Sequence, residues 1–378
     1  MNTKREKKNI LSNGAVQTLL ASFVCIVLGL FVGYIVLLLI NPAGAGRAIT
    51  SILKNFLYFP RPEVALEYFG STLAKSAPLL MCTLSVLFAY KAGLFNIGAS
   101  GQYAVGAGFA LYFAIHFGAP WWVCMLLAMF GGAVLGAIAG ALKAYLNVNE
   151  VIACIMLNWI SLYAVNTILT AVKESGTTYT LPLRTNSPQA LIPGLGLQHL
   201  FSDNRYVTIA IPLSVVCAIL IWVILEKTKL GYELKATGLS INAARYAGMR
   251  EKRNTILTMA ISGALAGLGA AFLYLSGIEQ WSCSQTAVPN MGFNGIAAAF
   301  LGGLHPIGSV FSAFFIQHIT SGGAYVDKMV YCSQISDLIA AIIIYFCGFV
   351  LFFKHCMNKR IQKAEEKKAN VADKKGGE

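Results

Sequence analysis

The sequence predicts an all-α protein, a polytopic membrane helical bundle of about ten transmembrane helices with both termini on the cytoplasmic side. Three observations predict it. Of 378 residues, 57% are hydrophobic and only 12% are charged, about half the charged share of an ordinary soluble domain, and the mean hydropathy is +0.65. Asp, Glu, Lys and Arg are absent from Asn9–Gly46 and from Ala92–Leu142, the second long enough for two crossings of roughly 20 residues each. These runs lack the alternation of barrel strands, and a backbone in lipid must hydrogen-bond to itself, so they form helices.

Taken in order, crossings are expected at about 17–40, 71–90, 93–116, 122–142, 150–172, 206–225, 255–278, 286–303, 306–321 and 333–353. The apolar core Thr18–Ile40 exceeds the roughly 7–15 residues of a cleaved signal-peptide core and reads as a retained helix. Residues 41–70 and 173–205 form the two long outside stretches, the second rich in Pro, Gly, Ser and Thr and expected to be an exposed loop. The longest and most charged connection, Glu226–Asn254, lies inside. The lysines near both chain ends place those ends inside, which requires an even number of crossings. Residues 280–326 must then hold two helices with a turn near Gly302–Pro306. This arrangement puts 21 Lys/Arg inside and 7 outside, with Lys75 within a helix. Eight crossings result instead if two short segments are re-entrant. The chain thus divides into a cytoplasmic segment 1–16, a transmembrane domain 17–353 containing the inner loop 226–254, and a basic cytoplasmic tail 354–378.

Charge and cysteine usage exclude several classes. The net charge of +13 follows the cytoplasmic loops of a membrane protein and does not call for nucleic acid. Nine cysteines include no Cys-x-x-Cys pair and read as small packing residues, with no metal or redox site. No Gly-x-x-x-x-Gly-Lys-Ser/Thr phosphate loop and no catalytic constellation occur. Lys75, Glu150 and Asp337 are the charges at membrane depth, each near an expected helix end where snorkelling explains them. A proton- or sodium-driven carrier more often buries an acid near the midplane.

Two segments carry candidate function. In the first, Gly93, Gly98, Gly101, Gly106 and Gly108 accompany Asn96, Ser100 and Gln102. Glycines allow close helix approach, and polar groups in lipid need partners or water. The segment therefore reads either as part of a solute path, where transport folds often break helices, or as a tight helix contact with internally bonded polar groups. Phe95, Asn96, Ser100, Gln102, Asn158, Trp159 and Asn294 are the path candidates, the last in a Phe293-Asn294 pair that echoes Phe95-Asn96. In the second, Ser240 suits a helix N-cap and Gly248 a C-terminal stop, enclosing Ile241–Ala247 with small residues on one face. Such a helix fits a groove on another protein; it equally fits a plain charged connector.

The residues also carry a resemblance. "TKLGYELKATGLSINAARYAGM" followed by "SGALAGLGAAFLYLSG" resembles the coupling loop and next helix of ABC importer permeases for simple sugars, nucleosides and branched-chain amino acids. "KAGLFNIGASGQYAVGA", "VNEVIACIMLNWISLY" and "GFNGIAAAFLGGLHPIGSVFSAFF" are similar to further stretches of that family, in order from about Pro78 to Phe353. "GLFNIGASGQ" looks most like the nucleoside-type branch, although Glu is common there at the place of Ser100. The resemblance implies an importer subunit in a bacterial plasma (inner) membrane that translocates a small neutral solute, a nucleoside or related riboside. It implies a second permease subunit, homologous or identical, a cytoplasmic ABC ATPase, an extracytoplasmic solute-binding protein, and contact with membrane lipid. It implies that Ser240, Asn242, Ala243, Ala244, Arg245, Tyr246, Ala247 and Gly248 form the contact with the ATPase. No cofactor is expected on this chain; ATP and Mg belong to the ATPase, so the chain is not itself an enzyme. The alternatives are a sugar or branched-chain amino-acid permease, a stand-alone secondary transporter, and a membrane-embedded enzyme.

Overall fold

The computed structural model describes residues 14–327, 331, 335–350 and 352–360. The basic N-terminus, the tail beyond Arg360 and the side chain of Asp337 lie outside the described residues. Regular structure among them is helical: α1 (Gly14–Ile40), α2 (Pro42–Lys54), α3 (Pro62–Lys91), α4 (Ala99–His116), α5 (Trp121–Leu146), α6 (Glu150–Leu169), α7 (Leu183–Asn186), α8 (Ala210–Lys227), α9 (Lys229–Leu239), α10 (Ile241–Tyr246), α11 (Glu251–Tyr274), α12 (Asn290–Leu301), α13 (Pro306–Gly322) and α14 (Ile335–Cys347). Each of the ten expected segments holds a helix. Among the described residues, six helices are long and apolar enough to cross a membrane: α1, α3, α5, α6, α8 and α11. With 12 residues, α12 rises only roughly 18 Å, short of a hydrocarbon core of about 30 Å. The expected turn after it is present, and Gly303 and Leu304 take φ of +67° and +55° to make it.

Four differences from the sequence reading matter. Pro62 opens α3 at the first-turn position that proline favours, so α3 starts well before residue 71 and Lys75 sits deep within it, away from either end. Residues 92–98 are not helical, so the segment expected at 93–116 begins with a break. The stretch 173–205 is not a free loop: Leu183, Ala190 and Ile192 are buried, and Trp281 grips it, its carbonyl accepting from Thr180 N at 3.0 Å. Within 41–70 lies α2, capped by Asn41, whose side chain accepts from Gly44 N at 3.1 Å, and buried through Ala45, Ala48 and Ile52. By contrast Glu150 does sit at a helix end, opening α6, where it pairs with Lys143.

The centre of the bundle is a glycine seam. A Cβ on Gly263 of α11 would lie 2.1 Å from the carbonyl oxygen of Gly132 in α5, one on Gly136 would lie 2.1 Å from Met259 O, and one on Gly267 would lie 2.2 Å from Ala128 O. Backbone therefore touches backbone along two turns, the close approach that small-xxx-small spacing permits in lipid. Gly106 of α4 meets Gly267 in the same way, so α4, α5 and α11 form one unit. Long α3 lies against α11 and α12, its residues 77–89 buried throughout.

Loops expected on one side meet one another. Gly93 touches Gly238 and Asn254 Nδ2 donates to Thr237 Oγ1 at 2.9 Å, whereas Asn204 Nδ2 donates to Glu67 O and Tyr58 stacks on Tyr325 among the loops expected outside. In a cysteine-free background, a single cysteine at Gln198 should label from outside intact cells and one at Ser240 only after permeabilisation; the reverse pattern would invert the orientation. Replacing Gly263 by Val should force α5 and α11 apart, at roughly 1–3 kcal/mol or more. Folded yield and melting temperature on size-exclusion chromatography are the measurements, and an unaltered melting temperature would mean the seam is not the tight contact described.

Candidate functional site

The break at 92–98 leaves backbone groups without helical partners inside a membrane segment, where each must find one. Asn96 and Asn158 supply them. Asn96 Oδ1 accepts from Gly98 N at 3.1 Å. Asn158 Oδ1, on α6, accepts from Gly101 N at 2.8 Å, and its Nδ2 donates to Ile97 O at 3.1 Å. The remaining capacity of Asn96 is used as well: Nδ2 donates to Ser262 Oγ at 2.6 Å and Gln102 Oε1 at 2.7 Å, with Ser85 Oγ at 3.2 Å. Ser262 Oγ donates in turn to Ser85 O at 2.7 Å. One fully buried cluster thus ties α3, α4, α6, α11 and the break together.

Of the path candidates, the structure brings Asn96, Gln102 and Asn158 into this cluster, where they bond to protein. Ser100 is also buried beside it, its Oγ without a hydrogen-bond partner, and Gly292 lies so close that a Cβ there would be 2.4 Å from that oxygen. Trp159 sits elsewhere, on the outer face of α6, 42% exposed and stacked on Tyr163 with centroids 6.2 Å apart. Phe95 and Asn294 are half-buried. Phe293-Asn294 lies within α12 while Phe95-Asn96 lies in the break, so the sequence echo is not a structural repeat.

The second region is α10. Ser240 caps it as expected, its Oγ accepting from Ala243 N at 3.3 Å. Gly248 stops it at φ +75°, and the bonds Met249 N to Ala244 O and Gly248 N to Arg245 O make a Schellman closure. Arg245 pairs with Glu251 at 2.9 Å, binding the helix to the start of α11. Ala244 alone departs from the expected small outward face: only 2% exposed, it points into its own chain, so a bulky residue there would overpack this protein before meeting any other. The outward residues are Asn242, Ala243, Arg245, Ala247 and, above all, Tyr246 at 94% and the neighbouring Leu239 at 89%. Lys229, Arg250 and Arg253 line a cavity of about 360 Å³ beside it.

Residues 68–348 match the family described as branched-chain amino acid transport system / permease component. The chain belongs to that family. It is similar to the nucleoside ABC transporter permease protein NupB of Lactococcus lactis subsp. cremoris, 34% identical over 82% of this chain and 85% of the relative. It is similar to the guanosine ABC transporter permease protein NupP of Bacillus subtilis, 31% identical over 91% and 97%. The guanosine ABC transporter permease protein NupQ of the same organism is 30% identical over 65% and 78%. No solved structure matches.

The permease joins its two regions through a contact that sequence reading missed. Gly238, at the end of α9, presses on the turn before the break: a Cβ there would lie 2.3 Å from Ala92 O. Leu239 and Tyr232 were also missed as exposed apolar groups; the signal was an apolar residue beside the Ser240 cap. Replacing Asn96 by Leu should orphan Gly98 N and the Gln102 side chain, costing roughly 1–3 kcal/mol for each buried group left unpaired. Thermal unfolding of the purified permease should drop by several degrees, and a variant that melts with the wild type would show that the cluster is dispensable.

Proposed function

We propose that this chain is the membrane-spanning permease subunit of an ATP-driven importer in a bacterial plasma membrane, and that its solute is a nucleoside or related riboside. The observation that carries the reading is the similarity, over 82% and 91% of the chain, to permeases named for nucleosides and for guanosine. Its ten helical segments build the membrane domain, α12 and α13 forming either two short crossings or one re-entrant pair. It pairs with a second permease subunit, homologous or identical; two different guanosine permeases named in Bacillus subtilis favour a distinct chain. An extracytoplasmic binding protein delivers the solute, and a separate ATPase binds ATP and Mg.

The exposed face of α10 is the contact for that ATPase. A helix capped at both ends by Ser240 and Gly248 moves as one body. The ATPase pushes on Tyr246 and Leu239; Gly238 passes the displacement to Ala92 and Gly93, and so to the break and the cluster around Asn96. Trp159, Phe95 and Asn294 are the path candidates left with access to a partner or solute, and the stacked Trp159–Tyr163 pair at mid-helix offers a flat face to a base. Asn96, Ser100, Gln102 and Asn158 are its scaffold.

The assembled complex in proteoliposomes, supplied with binding protein and ATP, should accumulate labelled guanosine. Uptake of leucine or glucose without guanosine would overturn the nucleoside assignment. Tyr246→Ala should weaken retention of the ATPase by roughly 30-fold, about 2 kcal/mol for a buried aromatic anchor, with the permease still inserted and folded. Normal retention and uptake in that variant would reduce α10 to a connector.

A further inference from the structure

Lys75 has no explanation in the permease reading. It lies within the thirty-residue α3, more than three turns from either end and about one turn inside the expected crossing 71–90, and its side chain is half-buried. Its ammonium forms no ion pair and no hydrogen bond among the described residues. An unpaired charge within a membrane helix is costly, and such residues face a cavity or a counter-charge. Lys75 faces a cavity of about 450 Å³, lined also by Tyr68, Tyr206, Tyr325, Ser71 and Ser321.

The chemistry of that lining is one-sided. It contains one ammonium, three phenols and several hydroxyls, and no carboxylate. Burial pushes the Tyr325 phenol up to about 12, so it stays a donor. The positive character extends outward: the guanidiniums of Arg184 and Arg205 each lie 5.2 Å from the centre of the Tyr206 ring, and Arg205 donates to the Tyr206 hydroxyl at 3.2 Å. Two acids of the neighbouring connections are engaged away from it. Asp203 pairs with His199, and Glu279 lines the separate cavity next to Arg184. Ser71 Oγ accepts from Asn204 Nδ2 at 2.7 Å, which leaves its own proton to donate into the cavity. A neutral solute would leave the ammonium uncompensated; an oxyanion would meet both the charge and the ring of donors. The volume exceeds a bare phosphate, with room for the group that carries it.

We propose that the cavity around Lys75, between α3, the end of α13 and the connections before α8 and after α11, binds a phosphate-bearing anion. The source is either the headgroup of an anionic lipid or a free phosphate, and the two are separable. The full-length permease, delipidated in detergent, is titrated with inorganic phosphate, with phosphatidylglycerol and with diacylglycerol, the last being a similar lipid without phosphate. Melting temperature and native mass spectrometry report binding. Phosphatidylglycerol should bind and stabilise while diacylglycerol does not. Binding of inorganic phosphate at the same site, seen by competition, identifies free phosphate as sufficient; its absence assigns the lipid headgroup. Lys75→Met should lower phosphatidylglycerol affinity by about tenfold or more, the loss of a charge-assisted contact, and Lys75→Arg should retain it. Where Lys75→Met does not fold, Lys75→Gln carries the same comparison. Equal binding by wild type and the charge-free variant, equal binding of diacylglycerol, or no binding of either phosphate probe would overturn the proposal.

Discussion

Backbone-to-backbone contact between α5 and α11 is the constraint on which the rest of the structure depends. In lipid, helices gain nothing from hiding apolar surface from one another, so association rests on close packing and on polar contacts. Gly132, Gly136, Gly263 and Gly267 permit an approach that any side chain would block. That approach sets where Ser262 stands, because it lies next to Gly263 on α11. Ser262 in turn receives Asn96, so the position of the broken segment follows from the seam.

The break and its cluster are two parts of one solution. A non-helical stretch in a membrane is tolerated only where its amides and carbonyls are satisfied by protein or water. Here two asparagines from different elements close the account: Asn96 serves Gly98 N, and Asn158 serves Gly101 N and Ile97 O. The same residues therefore hold the break open in one defined shape and anchor it to α6 and α11. Gly238 rests against the near side of that shape, which gives a displacement at the α9–α10 end a direct mechanical route into the bundle. A rigid break transmits motion as a unit, whereas a flexible one would absorb it.

Much of this was legible in the sequence, and unevenly so. The charge-free runs located ten helical segments, and the turn between α12 and α13 fell where Gly302 and Pro306 suggested. Ser240 and Gly248 marked both ends of α10, because a cap is made by residues three to five apart in the chain. Asn41-Pro42 before Ala45, Ala48 and Ile52 carried the same kind of signal for α2, and it was hidden within a stretch read only for its charges. The segment 173–205 misled for a related reason: Pro, Gly and Ser describe its turns, while its burial depends on Trp281, a residue about a hundred positions away.

The sequence by itself determined the membrane class, the order of helices and the local caps, since hydropathy and capping are properties of short windows. Only the tertiary structure decided what the polar side chains serve. Asn96 meets Ser262 across 166 positions and Asn158 meets Gly101 across 57, so no window of sequence could tell an amide that faces a solute from one that completes a backbone. The same holds for Ala244, whose inward direction depends on the rotation of a six-residue helix, and for Lys75, whose surroundings come from four separate elements. A side chain's chemistry is written at its own position, but its partner is chosen by packing.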